Sequence, residues 1–191
     1  MKVLTLLGSP RKKGNTATVL AMVEKELSAS HSVDRIAITS ITVNGCLGCG
    51  MCQKVADRPG CVQKDDALSV FERMMDADAV IYASPLYCWD FTAQMKALID
   101  RHFCLVTGYG TPDYRSLISA KPVALLVTCA GPVDGNADVI QTVFDRVCAF
   151  GQARPVNKTI LPFCTTPDAL AEDAKAAARK LAGDLINALA N

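Results

Sequence analysis

Val3–Leu7, Ala79–Ala83 and Val123–Val127 are short apolar runs that lack the polar alternation of a half-exposed strand. Strands of that kind are covered on both faces, which calls for a parallel sheet between layers of helix. Two further segments complete the set. Val33–Ile38 alternates enough for a place towards an edge, and Val156–Leu161 supplies a fifth strand. Helical stretches separate them, at about Asn15–Ser28, Asp65–Met75 and Ala137–Phe150. Another starts at Asp90, read as its N-cap, and carries Phe91, Met95, Leu98 and His102 on one face. A last helix, started by Thr166-Pro167-Asp168, carries Leu170, Ala174, Leu181 and Leu185. The pattern predicts an α/β fold, a doubly wound sheet of five parallel strands with helices on both faces. Ligands of such sheets bind beyond the carboxyl ends of the strands, where the strand order reverses. The loops after the first, third and fourth strands are therefore the places to search.

At 191 residues, half of them apolar, the chain suits one domain spanning 1–191. The 20 basic and 19 acidic side chains leave a formal net charge of +1, which gives no electrostatic case for nucleic acid or an anionic membrane. No apolar stretch approaches a membrane span, and the run after Met1 is too short for a signal peptide. Nine cysteines without an export signal point to the reducing cytoplasm, where they act as ligands, redox thiols or core residues.

The loop after the first strand reads Gly8-Ser9-Pro10-Arg11-Lys12-Lys13-Gly14-Asn15-Thr16. Backbone amides at the start of the following helix suit a phosphate. Ser9, Asn15 and Thr16 add neutral donors, and Arg11 or a neighbouring lysine adds charge. Neither the Walker sequence nor the dinucleotide fingerprint Gly-x-Gly-x-x-Gly is present. After the third strand, Ser84-Pro85-Leu86-Tyr87-Cys88-Trp89-Asp90 offers aromatic rings that can flank a planar ring system. After the fourth, Thr128-Cys129-Ala130-Gly131-Pro132-Val133-Asp134-Gly135-Asn136 has glycines that let backbone amides approach a ligand closely.

Cys46, Cys49, Cys52 and Cys61 fall within sixteen residues, in a loop at about 44–62. The Cys-x2-Cys-x2-Cys spacing of the first three is that of bacterial ferredoxins, and four thiolates are the complement of a cubane cluster. The second Cys-x2-Cys unit of a zinc ribbon is absent. A zinc site, bare thiols and plain buried cysteines stay open as other readings. Cys88 is either a redox thiol or a packing residue, and Cys104, Cys129, Cys148 and Cys164 read as inert core.

Gly8 to Lys12 with Asn15-Thr16, Cys46 through Cys61, and Pro85-Leu86-Tyr87 with Ala93–Arg101 together resemble the iron–sulfur flavoproteins of the NADPH-dependent FMN reductase superfamily. The resemblance covers essentially the whole chain. It implies a flavodoxin-like fold, bound FMN, NAD(P)H as co-substrate, and a homodimer or homotetramer that buries the flavin between subunits. By position, Ser9, Arg11, Asn15 and Thr16 then hold the phosphate. Pro85, Leu86, Tyr87 and Trp89 line the isoalloxazine, while Thr128, Gly131 and the Asp134-Gly135 turn face its polar edge. A [4Fe-4S] cluster takes Cys46, Cys49, Cys52 and Cys61. Two departures stand out. The family's compact motif has a shorter third gap than the eight residues between Cys52 and Cys61, and Ala130-Gly131-Pro132 stands where many relatives have paired glycines.

The implied function is an oxidoreductase passing electrons from NAD(P)H, or a ferredoxin-like donor, to a small acceptor such as a quinone, flavin or nitro compound. The chemistry is centred on the flavin, so no catalytic side chain is expected. Two alternatives stay open: a non-enzymatic flavodoxin-like electron carrier, and a flavin reductase whose cysteine loop binds zinc or nothing. The near-neutral charge counts against the carrier, since flavodoxins are strongly acidic.

Overall fold

The computed structural model describes residues 1–166, 170 and 172–190. The chain runs β1 (Lys2–Leu7), α1 (Asn15–Leu27), β2 (Ser32–Ala37), α2 (Ala67–Asp76), β3 (Ala79–Pro85), α3 (Ala93–Asp100), β4 (Val106–Thr107), β5 (Arg115–Ser116), β6 (Pro122–Thr128), α4 (Asp138–Phe150), β7 (Arg154–Leu161) and α5 (Glu172–Ala190). Five strands pair in parallel in the order β2-β1-β3-β6-β7. The chain leaves β1 to one side for β2, then crosses back to β3 on the other. The crevice between the ends of β1 and β3 is thus the topological switch point.

Because strand side chains alternate between faces, each central strand feeds two cores. Leu4 and Leu6, Val80 and Tyr82, and Val123, Leu125 and Val127 meet Phe71, Met74, Met95, Leu98 and Phe144 from α2, α3 and α4. Val3 and Leu7, Ile81 and Ala83, and Ala124 and Leu126 meet α1 and α5 through Leu20, Val23, Leu181 and Leu185. This double burial is the reason for the unbroken apolar runs in the sequence. No described helix is long and apolar enough to cross a membrane.

Several local expectations shift. Thr92, not Asp90, caps α3: its hydroxyl accepts from the Met95 amide at 3.4 Å and donates to Gly8 O at 2.8 Å. Asp90 instead accepts from the adjacent Phe91 amide. The second helix starts at Ala67 because both aspartates are engaged ahead of it. Asp65 accepts from the amides of Asn44 and Ala67, and Asp66 accepts from Thr42. Leu170 precedes α5 rather than riding on it, and Pro167 and Asp168 lie outside the described residues. The short antiparallel pair β4–β5 had no pattern long enough to be read.

Candidate functional site

A cleft of about 320 Å³ opens at the β1/β3 switch point. Ser9, Arg11, Asn15 and Thr16 enter it from the first loop, Pro85, Leu86 and Tyr87 from the third, and Thr128 from the end of β6. Helix α1 begins at this cleft behind Gly14, with no acidic residue in its first turn. The first-turn amides of a helix have no carbonyl partner within it, so they present donors and partial positive charge. The buried Thr16 and Thr128 hydroxyls bond each other at 2.7 Å, tying the phosphate-type loop to β6. Ser9 Oγ accepts from the Arg11 amide, which folds the loop tightly. Asn15 departs from its expected role. Its amide nitrogen already donates to Cys164 O at 2.9 Å, while its buried Oδ1 has no partner. An orphaned acceptor wants a hydroxyl rather than a phosphate oxygen.

Four other expected residues stay out of this lining. Trp89 sits at the tip of a tight turn, where Tyr87 and Asp90 exchange both backbone bonds at 3.0 and 3.1 Å. Cys88 and Trp89 between them take φ of 47° and 65°. Two successive left-handed residues form the primed hairpin turn usually reserved for Asn-Gly, and it carries the Trp89 ring outward to 57% exposure. Gly131, Asp134 and Gly135 belong to a loop that closes on itself through Asn136, whose side chain donates to Pro132 O. Two thiols expected as inert core, Cys129 and Cys164, line the cleft instead, with Ala130 and Thr165. Burial raises the pKa of both thiols, which keeps them protonated and weakly reactive.

The cysteine loop forms a second feature. Cys46, Cys49, Cys52 and Cys61 all line one cavity of about 80 Å³. Gly48 and Gly50 take φ of 64° and 67°, a conformation that lets the chain reverse between successive thiols. Cys52 is buried, Cys61 half-buried, and Cys46 and Cys49 exposed. Among the described residues, no three His, Cys, Asp or Glu side chains gather closely enough to hold a metal ion. Tetrahedral zinc, with Zn–S bonds of about 2.3 Å, would need sulfurs within roughly 4 Å of one another.

Two residues with no site role in the sequence reading complete this cavity. Cys104 lines it rather than filling core alone. Arg101, also in the lining, is 1% exposed and forms an ion pair with the equally buried Asp65. Its Nη1 also reaches Asn44 O at 3.3 Å, while its buried Nε and Nη2 have no well-aligned acceptor, though the Cys61 thiol lies beside the guanidinium. Burial works against the Asp65 carboxylate, yet Arg101 and the amides of Asn44 and Ala67 overcome it and hold its pKa below the usual range. The pair therefore fastens the end of α3 to both ends of the cysteine loop. A lining of five thiols beside a buried guanidinium whose Nε and Nη2 lack a well-aligned acceptor fits an anionic, sulfur-rich group.

The family model for NADPH-dependent FMN reductase matches residues 1–159. This chain belongs to the NADPH-dependent FMN reductase family. Within it, the chain is 35% identical to an iron–sulfur flavoprotein of Archaeoglobus fulgidus over 84% of its own length and 68% of that protein's. It is 35% identical to the iron–sulfur flavoprotein MJ0731 of Methanocaldococcus jannaschii, over 76% and 70% of the two chains. Against other curated relatives, such as an iron–sulfur flavoprotein of Methanosarcina thermophila at 36% identity, it spans about half their length (54%). In fold, the FMN reductase domain superposes on an NAD(P)H:quinone oxidoreductase of Methanothermobacter marburgensis with a TM-score of 0.75 at 22% identity, covering 97% and 96% of the two chains. An FMN-dependent NADH-azoreductase of Bacillus anthracis, solved with FMN, gives 0.67 at 12% identity, covering 97% and 99%. The family match establishes a flavin-linked oxidoreductase, and the structural likenesses confirm the flavodoxin-like fold.

Proposed function

We propose that this protein takes hydride from NAD(P)H onto FMN held in the switch-point cleft. Electrons then pass to a small acceptor of the quinone, flavin or nitro class, or singly through a [4Fe-4S] cluster on Cys46, Cys49, Cys52 and Cys61. The observation that carries the reading is the cleft itself. It joins a helix N-terminus free of acidic residues to a wall of Pro85, Leu86 and Tyr87. The amides of α1, Ser9, Thr16 and Arg11 suit the phosphate, and the orphaned Oδ1 of Asn15 suits a ribityl hydroxyl. FMN when bound supplies both one- and two-electron chemistry, and the protein supplies position and electrostatics. Trp89, and the Gly131 and Asp134-Gly135 backbone, are assigned to the ring's outer and polar edges in the assembled oligomer.

The cluster assignment rests on the four thiols sharing one cavity and on the iron–sulfur flavoprotein relatives. A ferredoxin-type donor, a cytoplasmic location and a homodimer or homotetramer belong to the same proposal.

The test is anaerobic purification with iron supplied, followed by absorption spectra, iron and sulfide analysis, and steady-state NAD(P)H oxidation with a quinone. The expected result is a flavin spectrum with a broad cluster shoulder, near-stoichiometric four-iron content that disappears in Cys49→Ser, and turnover. Flavin with turnover but no iron or sulfide leaves a plain FMN reductase. Flavin without NAD(P)H turnover favours an electron carrier.

A further inference from the structure

Arg101 does not line the switch-point cleft, yet it is the largest fully buried side chain among the described residues. One end of its guanidinium is committed: Nη1 meets Asp65 and Asn44 O. The other end, Nε and Nη2, is buried without a well-aligned acceptor, and the Cys61 thiol lies beside the guanidinium. Leaving the buried donors of a charged group without an acceptor is costly, so an acceptor belongs beside them. The side chain lines the cavity shared by Cys46, Cys49, Cys52 and Cys61. The remaining neighbours there are Leu47, Val62 and Phe103, the thiol of Cys104, glycine backbone and Gln63. The Gln63 side-chain amide is turned to Gly45 O. Among the described residues no carboxylate lines the cavity, so the acceptor there that matches a guanidinium edge is anionic sulfur.

We infer that Arg101 is a positioning residue that donates through Nε and Nη2 to the Cys61 sulfur, or to an adjacent sulfide of the cluster, and thereby raises the cluster's reduction potential. The inference rests on the cluster reading given above. Adding an electron makes a thiolate-ligated cluster more negative. Hydrogen bonds to its sulfurs therefore stabilise the reduced form more than the oxidised form, and they are a recognised control on cluster potential. Asp65 compensates the guanidinium charge, so most of the influence comes from the two directed donors rather than from net charge.

The geometry makes two variants move in opposite directions. Arg101→Lys keeps a cation for Asp65 but loses the planar fork, so the midpoint potential falls. Asp65→Asn keeps the fork and removes the compensating carboxylate, so the potential rises. The experiment is EPR-monitored potentiometry of anaerobically reconstituted protein with iron and FMN stoichiometry measured on the same samples. An Arg101→Lys protein that is folded and holds FMN but no longer retains iron also supports the inference, provided Asp65→Asn retains it. Full iron content with an unchanged potential in both variants overturns the inference and leaves the cluster reading intact. Should Arg101→Lys fail to fold, Arg101→Gln takes its place, and a potential that does not fall in folded, iron-loaded protein overturns the inference. A wild-type protein that takes up no iron and sulfide removes the cluster reading itself, and the Arg101 inference with it.

Discussion

Thr16 and Thr128 show why the loop after the first strand was legible as a wall of the switch-point cleft and its details were not. A Ser/Asn/Thr-rich turn between strand and helix marks the place, but only the fold shows that the two hydroxyls bond each other across 112 positions of sequence. Removing Ser9 and Thr16 hydroxyls together, as Ser9→Ala/Thr16→Ala, takes away two donors to a dianion, each worth roughly 1.5–3 kcal/mol. The double variant should bind FMN at least about 100-fold more weakly by fluorescence titration of the apoprotein. His102 supplies a prediction of another kind. It is buried against the edges of Phe71 and Tyr82, and burial pushes its pKa from 6.5 down to about 4. Between those values the unfolded chain takes up a proton that the folded protein refuses. The stability this neutral histidine secures is thus fully present above pH 6.5 and is lost as pH falls towards 4, by about 3 kcal/mol. Urea midpoints should drop between pH 7 and pH 4.5 in the wild type, and the drop should shrink in His102→Leu. Arg101, by contrast, could not be interpreted from its neighbours in sequence. Its meaning depends on Asp65, 36 positions away, and on two nitrogens that the fold leaves without a well-aligned acceptor.

At the level of elements, the parallel strands were readable because each is covered twice, and the edges were not. The last strand starts at Arg154, two residues ahead of its apolar stretch, since an edge position tolerates polar side chains. The α3 cap moved to Thr92 because a hydroxyl there serves both Met95 N and Gly8 O, binding the third helix to the end of β1. The cysteine loop has its own internal constraint. A Cβ at Gly60 would lie 2.6 Å from Val55 Cβ and 3.1 Å from Cys52 O. Gly60→Ala must therefore push apart the two limbs that carry Cys52 and Cys61. Overpacking of this kind costs about 1–3 kcal/mol, and here it falls on the loop alone. The expected outcome is iron uptake well below that of the wild type under anaerobic reconstitution, with FMN stoichiometry unchanged. Loss of both together would mean that the loop and the flavin cleft fold as one unit.

For the molecule as a whole, the sheet places the acid-free N-terminus of α1 at its switch point, and two of the apolar features left outside among the described residues bear on assembly. One is the turn tip, where Tyr87 and Trp89 are 45% and 57% exposed. The other is a cleft of about 360 Å³ between α3 and α4, walled by Ile99, Val139, Val143, Val147 and Phe150, with Lys96, Asp100 and Arg146 also in its lining. Val139 is itself 47% exposed. Contiguous apolar surface framed by charge is characteristic of contact between subunits. Charges of both signs beside one cleft also allow a surface to complement its own copy, as a two-fold dimer requires. The strained left-handed pair at Cys88 and Trp89 argues in the same direction, because a conformation disfavoured by a few kcal/mol persists where something outside the turn uses it. The protein is therefore expected to sediment as a dimer or larger species at micromolar concentration. Val139→Glu, which puts a charge on the α3–α4 cleft, should shift it towards monomer, and Trp89→Ser should weaken FMN retention with less effect on association. A wild-type monomer with full FMN content and full NAD(P)H turnover would show that one chain completes the site, and that the exposed rings at 87 and 89 serve the acceptor rather than a second subunit.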